Sequence, residues 1–279
     1  MNSLLRSDFR RMCRSKLLYL GMIAVVMFMA YALVNNIYYM SFMPSLKLPL
    51  DNLIFAGTSV IKFSMAVFTC FFVGTDYSDG TIRNKIMGGH SRFSIYMSYF
   101  VTTTMASLIM ILIGSLVILA IGSIWMGGFT ANPAIIVPQV LCCILSIVSL
   151  NALILLIAVL VPSRAISVTV CLLLAIMLGT TSTTLLNNLM EEPTIPAFTY
   201  YDEEGILQVV PERENPRYVS GTERIIVQTC YDAIPTSQMN QYGYDELPEN
   251  ILLFPIYSLA FISIYSTAGL LFFKRKDLK

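Results

Sequence analysis

Six stretches of this chain are long and apolar enough to cross a bilayer, and they leave little else to fold. A helix needs ~20 apolar residues to cross ~30 Å of hydrocarbon. Leu17–Val34 is one uncharged run. Asn52–Val73 is a second, broken only by Lys62. Phe93–Trp125 is longer than a span requires, and Gln139–Val161, Ala165–Leu186 and Ile251–Phe273 complete the set. The chain is 56% hydrophobic and 13% charged, with mean hydropathy +0.70, whereas soluble domains carry roughly 25% charged residues. A soluble core of 279 residues has no use for so much apolar surface. The expected fold is an all-α polytopic membrane protein with six transmembrane helices.

Lysine and arginine placement orients the spans. Arg6, Arg10, Arg11, Arg14 and Lys16 precede the first, and Arg83, Lys85 and Arg92 lie between the second and third. Arg164 lies between the fourth and fifth, and Lys274, Arg275, Lys276 and Lys279 follow the sixth. All thirteen fall on one side of a six-span topology. Only Lys47, Arg213, Arg217 and Arg224 fall on the other. The positive side is the cytoplasmic one, which predicts a multi-pass protein with both termini inside. The first apolar run exceeds a signal-peptide core, and no small-residue cleavage site follows Val34, so it reads as a retained helix.

Residues 1–16 read as an interfacial amphipathic helix. Leu5, Phe9, Met12 and Cys13 fall on one stripe, and Arg6, Arg10 and Arg14 on a basic stripe beside it. Such a helix lies in the headgroup plane, apolar side down.

The most informative segment is the loop 74–92, between the second and third spans. Thr81 is the expected helix cap, and Gly80 permits a sharp turn before it. Ile82 and Ile86 are one turn apart, while Arg83, Asn84 and Lys85 point elsewhere. Asp76 and Asp79 stand at the positive N-terminal end of the short helix. Gly88-Gly89 ends it, and Ser91 caps the next. A short helix showing two isoleucines beside basic residues suits a groove on a partner protein. The plain alternative is a solvated turn that obeys the positive-inside rule.

Asp76-Tyr77, then Gly80-Thr81-Ile82-Arg83, resembles the first cytoplasmic loop of ABC-2 type ATP-binding-cassette permeases. There an acidic-aromatic pair, usually with glutamate, precedes Gly-Thr and a hydrophobic-basic pair. The six-span plan and the N-terminal helix extend the resemblance, which is to small bacterial permeases of bacitracin, lantibiotic and phenol-soluble-modulin peptides. It implies that Asp76–Ile86 docks on a cytoplasmic ABC ATPase, present in two copies, and that residues 1–16 form an elbow helix against it. It implies a second permease copy or paralogue and a bacterial plasma membrane. The implied function is export of, or immunity to, amphipathic or antimicrobial peptides; lipid, drug or sodium export shares the architecture. ATP and Mg2+ would bind the partner, since this chain has no G-x-x-x-x-G-K-[ST] run. A non-transporting receptor with an acidic outer cap is the reading from another class.

No catalytic residue and no metal site are expected. The single histidine, His90, cannot hold a metal alone, and neither G-x-G-x-x-G nor H-E-x-x-H occurs. Nor is a nucleic-acid partner expected. Of six cysteines only Cys230 falls on the outer side, so no outer disulfide within the chain is expected.

Lys62 is the one charge inside a span, and an intramembrane ammonium needs a wet cavity, a partner or a route to the headgroups. Thr58, Ser59, Met65 and Thr69 lie near its face, and span five ends in the hydroxyl run containing Thr180, Thr181 and Thr184. These eight are candidates for a transport path. Snorkelling of Lys62 and back-bonded inert hydroxyls are the alternatives. Residues 187–250 form the one sizeable polar segment, expected as a small extracellular α+β cap. It carries twelve acidic residues against three basic. A hairpin is expected over Ala197–Tyr201 and Ile206–Val210, and a short helix from Thr222, its cap, to Ala233. Residues 251–279 hold span six and a basic tail.

Overall fold

The computed structural model of the chain describes residues 2–43, 50–127, 130, 132–201, 205, 207–244 and 246–276. In order, the elements are α1 (Asn2–Cys13), α2 (Lys16–Phe42), a 3-10 turn (Leu50–Phe55), α3 (Thr58–Ser78), α4 (Thr81–Met87), α5 (Arg92–Met126), α6 (Pro133–Leu160) and α7 (Arg164–Met190). Strands β1 (Thr194–Ile195), β2 (Phe198–Tyr201), β3 (Leu207–Val210) and β4 (Arg213–Glu214) follow, then α8 (Gly221–Ala233), α9 (Pro235–Met239) and α10 (Phe254–Arg275). Helices α2, α3 with its preceding turn, α5, α6, α7 and α10 are long and apolar enough to span a membrane. The chain is an all-α multi-pass membrane protein.

Local chemistry sets the helix ends. Ser91 accepts a hydrogen bond from Ser94 N at the start of α5, and Asn132 accepts one from Ala134 N at the start of α6, with Pro133 in the first turn. The α3 helix runs past Val73 to Ser78, so it takes in Asp76 and Tyr77.

Helices α3 and α6 form the centre. The α3 helix packs on α7, α6, α2 and α5, and α6 packs on α10, α3 and α5. Asn151 on α6, fully buried, ties three helices together. Its Nδ2 donates to Thr103 Oγ1 and Thr104 Oγ1 at 2.9 Å, and its Oδ1 accepts from Thr69 Oγ1 at 3.2 Å. Asn151→Val is expected to lower stability by about 1–2 kcal/mol, the range for interhelical hydrogen bonds in a bilayer. Chemical unfolding in detergent, followed by circular dichroism, reads this directly.

One end of the bundle gathers α1, α4, the start of α5 and the end of α10. Arg92 Nη1 donates to the carbonyls of Phe273, Lys274 and Lys276, at 2.6–2.8 Å. Lys276 Nζ donates to Val159 and Leu160 carbonyls at the end of α6. Burial there holds the Lys276 ammonium below the usual lysine range.

The opposite end is closed by the polar segment after α7. It is not one layer. Strands β2 and β3 make an exposed antiparallel hairpin, and β1 pairs with β4. Ser220, not Thr222, stands at the N-cap of α8. All five residues of α9 are buried, because α9 sits against α6 and α7. Gln238 Oε1 accepts from Ser146 on α6 and Ser258 on α10, and Ser182 on α7 bonds Thr236 and Ser237. Tyr242 is buried beside Phe55 and Phe254, which pushes its phenol well above the usual tyrosine range.

Candidate functional site

The densest chemistry lies where α1 crosses the end of α3. Gly80 adopts φ +67°, a left-handed turn that a side chain disfavours, and folds α4 back beneath α3. The turn brings Lys85 to Asp76. Lys85 Nζ donates to Asp76 Oδ2 at 2.8 Å and to Asp8 Oδ1 at 2.9 Å. Arg11 Nη1 donates to Asp76 Oδ1 and its guanidinium lies over the Phe72 ring, 3.8 Å from the centroid. Tyr99 Oη donates to Asp76 Oδ2 at 2.6 Å, and Ser98 Oγ donates to Asp8 Oδ2 at 2.7 Å. Two carboxylates face two cations, so the cluster is neutral as a unit. It joins α1, α3, α4 and α5.

The sequence placed these residues differently. Asp76 was expected at the N-terminus of the short helix, on a docking surface. It is 0% exposed and belongs to α3; two cations and a phenol offset the cost of burying its charge. Ile82 is buried and Ile86 half-buried against the core, so neither forms the expected exposed apolar face. Thr81 is not the cap but the first helical residue, and its hydroxyl donates to the Asp76 carbonyl. Tyr77 is half-buried and donates to the Val159 carbonyl. Asp79 is exposed and accepts from Ser78. Arg83, Asn84 and Met87 are what α4 presents outward, with Met87 72% exposed.

The α1 face is rotated from the expected stripe. Leu4, Asp8 and Met12 turn into the protein, while Arg11 is half-buried. Leu5 is half-buried, and Phe9 and Cys13 stay outward, beside exposed Arg6, Arg10 and Arg14. The inward face includes an acid because Asp8 finds donors there. Asp8, Arg11, Ser98 and Tyr99 escaped the sequence reading. Asp8 is the one acidic residue before Asp51, and a lone acid in a basic helix is the signal that marks it.

A second feature lies near the far end of α3. A cavity of about 580 Å3 separates α3 from α7. Ser59, Lys62 and Phe63 line one wall, and Ala175, Ile176, Gly179, Thr180, Thr183 and Thr184 the other, with Asn240 also lining it. A hollow of about 530 Å3 continues from Thr184 to Asn187, Asn188, Met190, Glu191 and Arg217. Ser59, Lys62, Thr180 and Thr184 are thus brought together. Thr58 is buried and donates to the Phe55 carbonyl, Met65 is fully buried, and Thr69 is committed to Asn151. Thr181 is exposed but does not line the groove. Thr58, Met65 and Thr69 drop out because they face α3's packed neighbours.

Compared with known families and with curated proteins, the chain matches no family model and no curated protein.

Proposed function

We propose that this chain is the membrane-spanning subunit of an ATP-driven exporter. Its basic end and both termini lie in the cytoplasm of a bacterium, and a cytoplasmic ATPase of the ABC type docks at α4. The observation that carries this reading is the cluster of Asp8, Arg11, Asp76 and Lys85. It makes α1, α4 and the adjoining ends of α3 and α5 move as one body. Arg83, Asn84 and Met87 project from that body, and they are the surface a partner would push. The α3 helix, 21 residues long and so about 30 Å, carries the displacement to the Lys62 groove. A groove whose walls mix apolar side chains with hydroxyls and one ammonium suits an amphipathic peptide. A second copy or a paralogue would complete the path, with two ATPase subunits supplying ATP and Mg2+ chemistry.

Affinity purification of the chain from its native membrane, with mass spectrometry of what accompanies it, tests this. A soluble ATPase should co-purify. Arg83→Glu should lower its recovery about tenfold, a rim-charge effect on association, without changing the melting temperature of the isolated chain. A folded wild-type chain that brings no ATPase overturns the reading. Hydrolysis stimulated by amphipathic peptide, and not by lipid, drug or sodium, would then identify the cargo class.

A further inference from the structure

We propose that the groove between α3 and α7 binds the glycerol-phosphate headgroup of an anionic membrane lipid, with the phosphate on Lys62 Nζ. This does not depend on an ATPase partner. The charge balance points to it first. Among the described residues, no carboxylate lies within ion-pair distance of Lys62 and no acceptor takes a hydrogen bond from it. Its ammonium rests against Gly179, where an added Cβ would lie 3.0 Å from Nζ, and its other charge contact is the Phe63 ring at 5.4 Å. A lysine held inside a span without an anion is costly. A phosphate would offset that cost.

Depth is the second point. Lys62 lies one turn into α3 from Thr58, about 6 Å along the axis, and Gly179 of α7 stands at its level. The outward face of α7 changes character at the same level. Leu173, Ile176 and Met177 are exposed and apolar; Thr180, Thr181 and Thr184, past Gly179, are exposed and hydroxylated. An amphiphile has this profile, tail along the first set and headgroup along the second.

Hydrogen-bond direction narrows the headgroup. Thr180, Thr183 and Thr184 donate to carbonyls of their own helix at 3.0–3.1 Å. Their lone pairs therefore face the groove and call for donors. Lys62 calls for an anionic acceptor. Glycerol phosphate offers both; a choline headgroup offers the phosphate and no hydroxyl. The neighbouring hollow is lined by Glu191 as well as Arg217, so it carries an acid of its own, whereas the lining of the α3–α7 groove has Lys62 and no acid. The larger cleft of about 710 Å3 between the 3-10 turn, α5 and α6 has no charged lining residue and cannot select a headgroup.

The test titrates the full chain in mild detergent with dioleoyl-phosphatidylglycerol or dioleoyl-phosphatidylcholine, read by native mass spectrometry. Phosphatidylglycerol should be retained saturably at one site per chain, and phosphatidylcholine should not. Lys62→Gln should weaken retention about tenfold, the effect of losing one charged hydrogen bond, and Lys62→Arg should keep it. Gly179→Val, which crowds Nζ but leaves the charge, should weaken it as well. Lipid-free melting temperatures matching wild type would show that each variant is folded. Equal retention by Lys62→Gln and wild type, or equal binding of the two lipids, would overturn the proposal.

Discussion

Replacing Asp76 with alanine is expected to destabilise the isolated chain by about 3–5 kcal/mol, the effect of removing one partner from a buried ion pair. Asp76 is fully buried and accepts from Arg11, Lys85 and Tyr99. The substitution strands those donors. Lys85 keeps Asp8 at 2.9 Å, while Arg11 keeps Asp8 only at 3.7 Å, so Arg11 loses most. Removing both members of a pair should cost less than the two single changes together, because no charge is then left alone. Asp76→Ala/Lys85→Ala is therefore expected to be less unstable than the sum of Asp76→Ala and Lys85→Ala. Thermal unfolding of the purified chain, with no ATPase present, decides the matter. An Asp76→Ala chain that melts with wild type would mean that the carboxylate acts on a partner and not within this protein.

Gly114→Leu is the second large change, expected to cost about 3 kcal/mol through overpacking. Gly114 on α5 faces α2, and a Cβ placed on it would lie 2.6 Å from Met29 Sδ and 2.8 Å from Val25 Cγ1. Met29 and Val25 are themselves fully buried. Small residues let membrane helices approach where no hydrophobic force draws them together. A leucine must push α2 away from α5, and much of the α2 surface that packs in the bundle packs there. Gly114→Ala should cost less, since a flexible methionine end can shift. Reduced yield in the membrane fraction and a lowered melting temperature in detergent are the expected readouts. Wild-type values for Gly114→Leu would show that α2 is not seated on α5 in this register.

The six spans were legible because each is a long apolar run, only the second holding a charge, at Lys62, and hydrocarbon admits little besides helix. Ser91 was legible as a cap for the same local reason. The ion cluster was not. Its members come from four helices, and sequence spacing relates only residues on one helix. Asp76 was read as belonging to the loop because acids usually sit in water, yet α3 continued through it once Arg11, Lys85 and Tyr99 supplied partners. The groove was half legible. Ser59, Lys62, Thr180 and Thr184 share it, but which hydroxyls beside Lys62 face inward depends on where α6 presents Asn151. Only the fold fixes that.

The five buried residues of α9 bear on how the protein is made. Helices α2, α3, α5, α6 and α7 can enter the bilayer in the order in which they leave the ribosome. Ser146 and Ser182, on α6 and α7, then wait with polar groups turned inward for partners at 236–238, about fifty or more residues further on. The last span brings Ser258 to the same Gln238. Closure of that end of the bundle therefore waits for α9 and α10, after the earlier spans have inserted. A nascent chain arrested before residue 235 would hold its early spans in the membrane with this seam still open, a form that quality-control proteases could recognise.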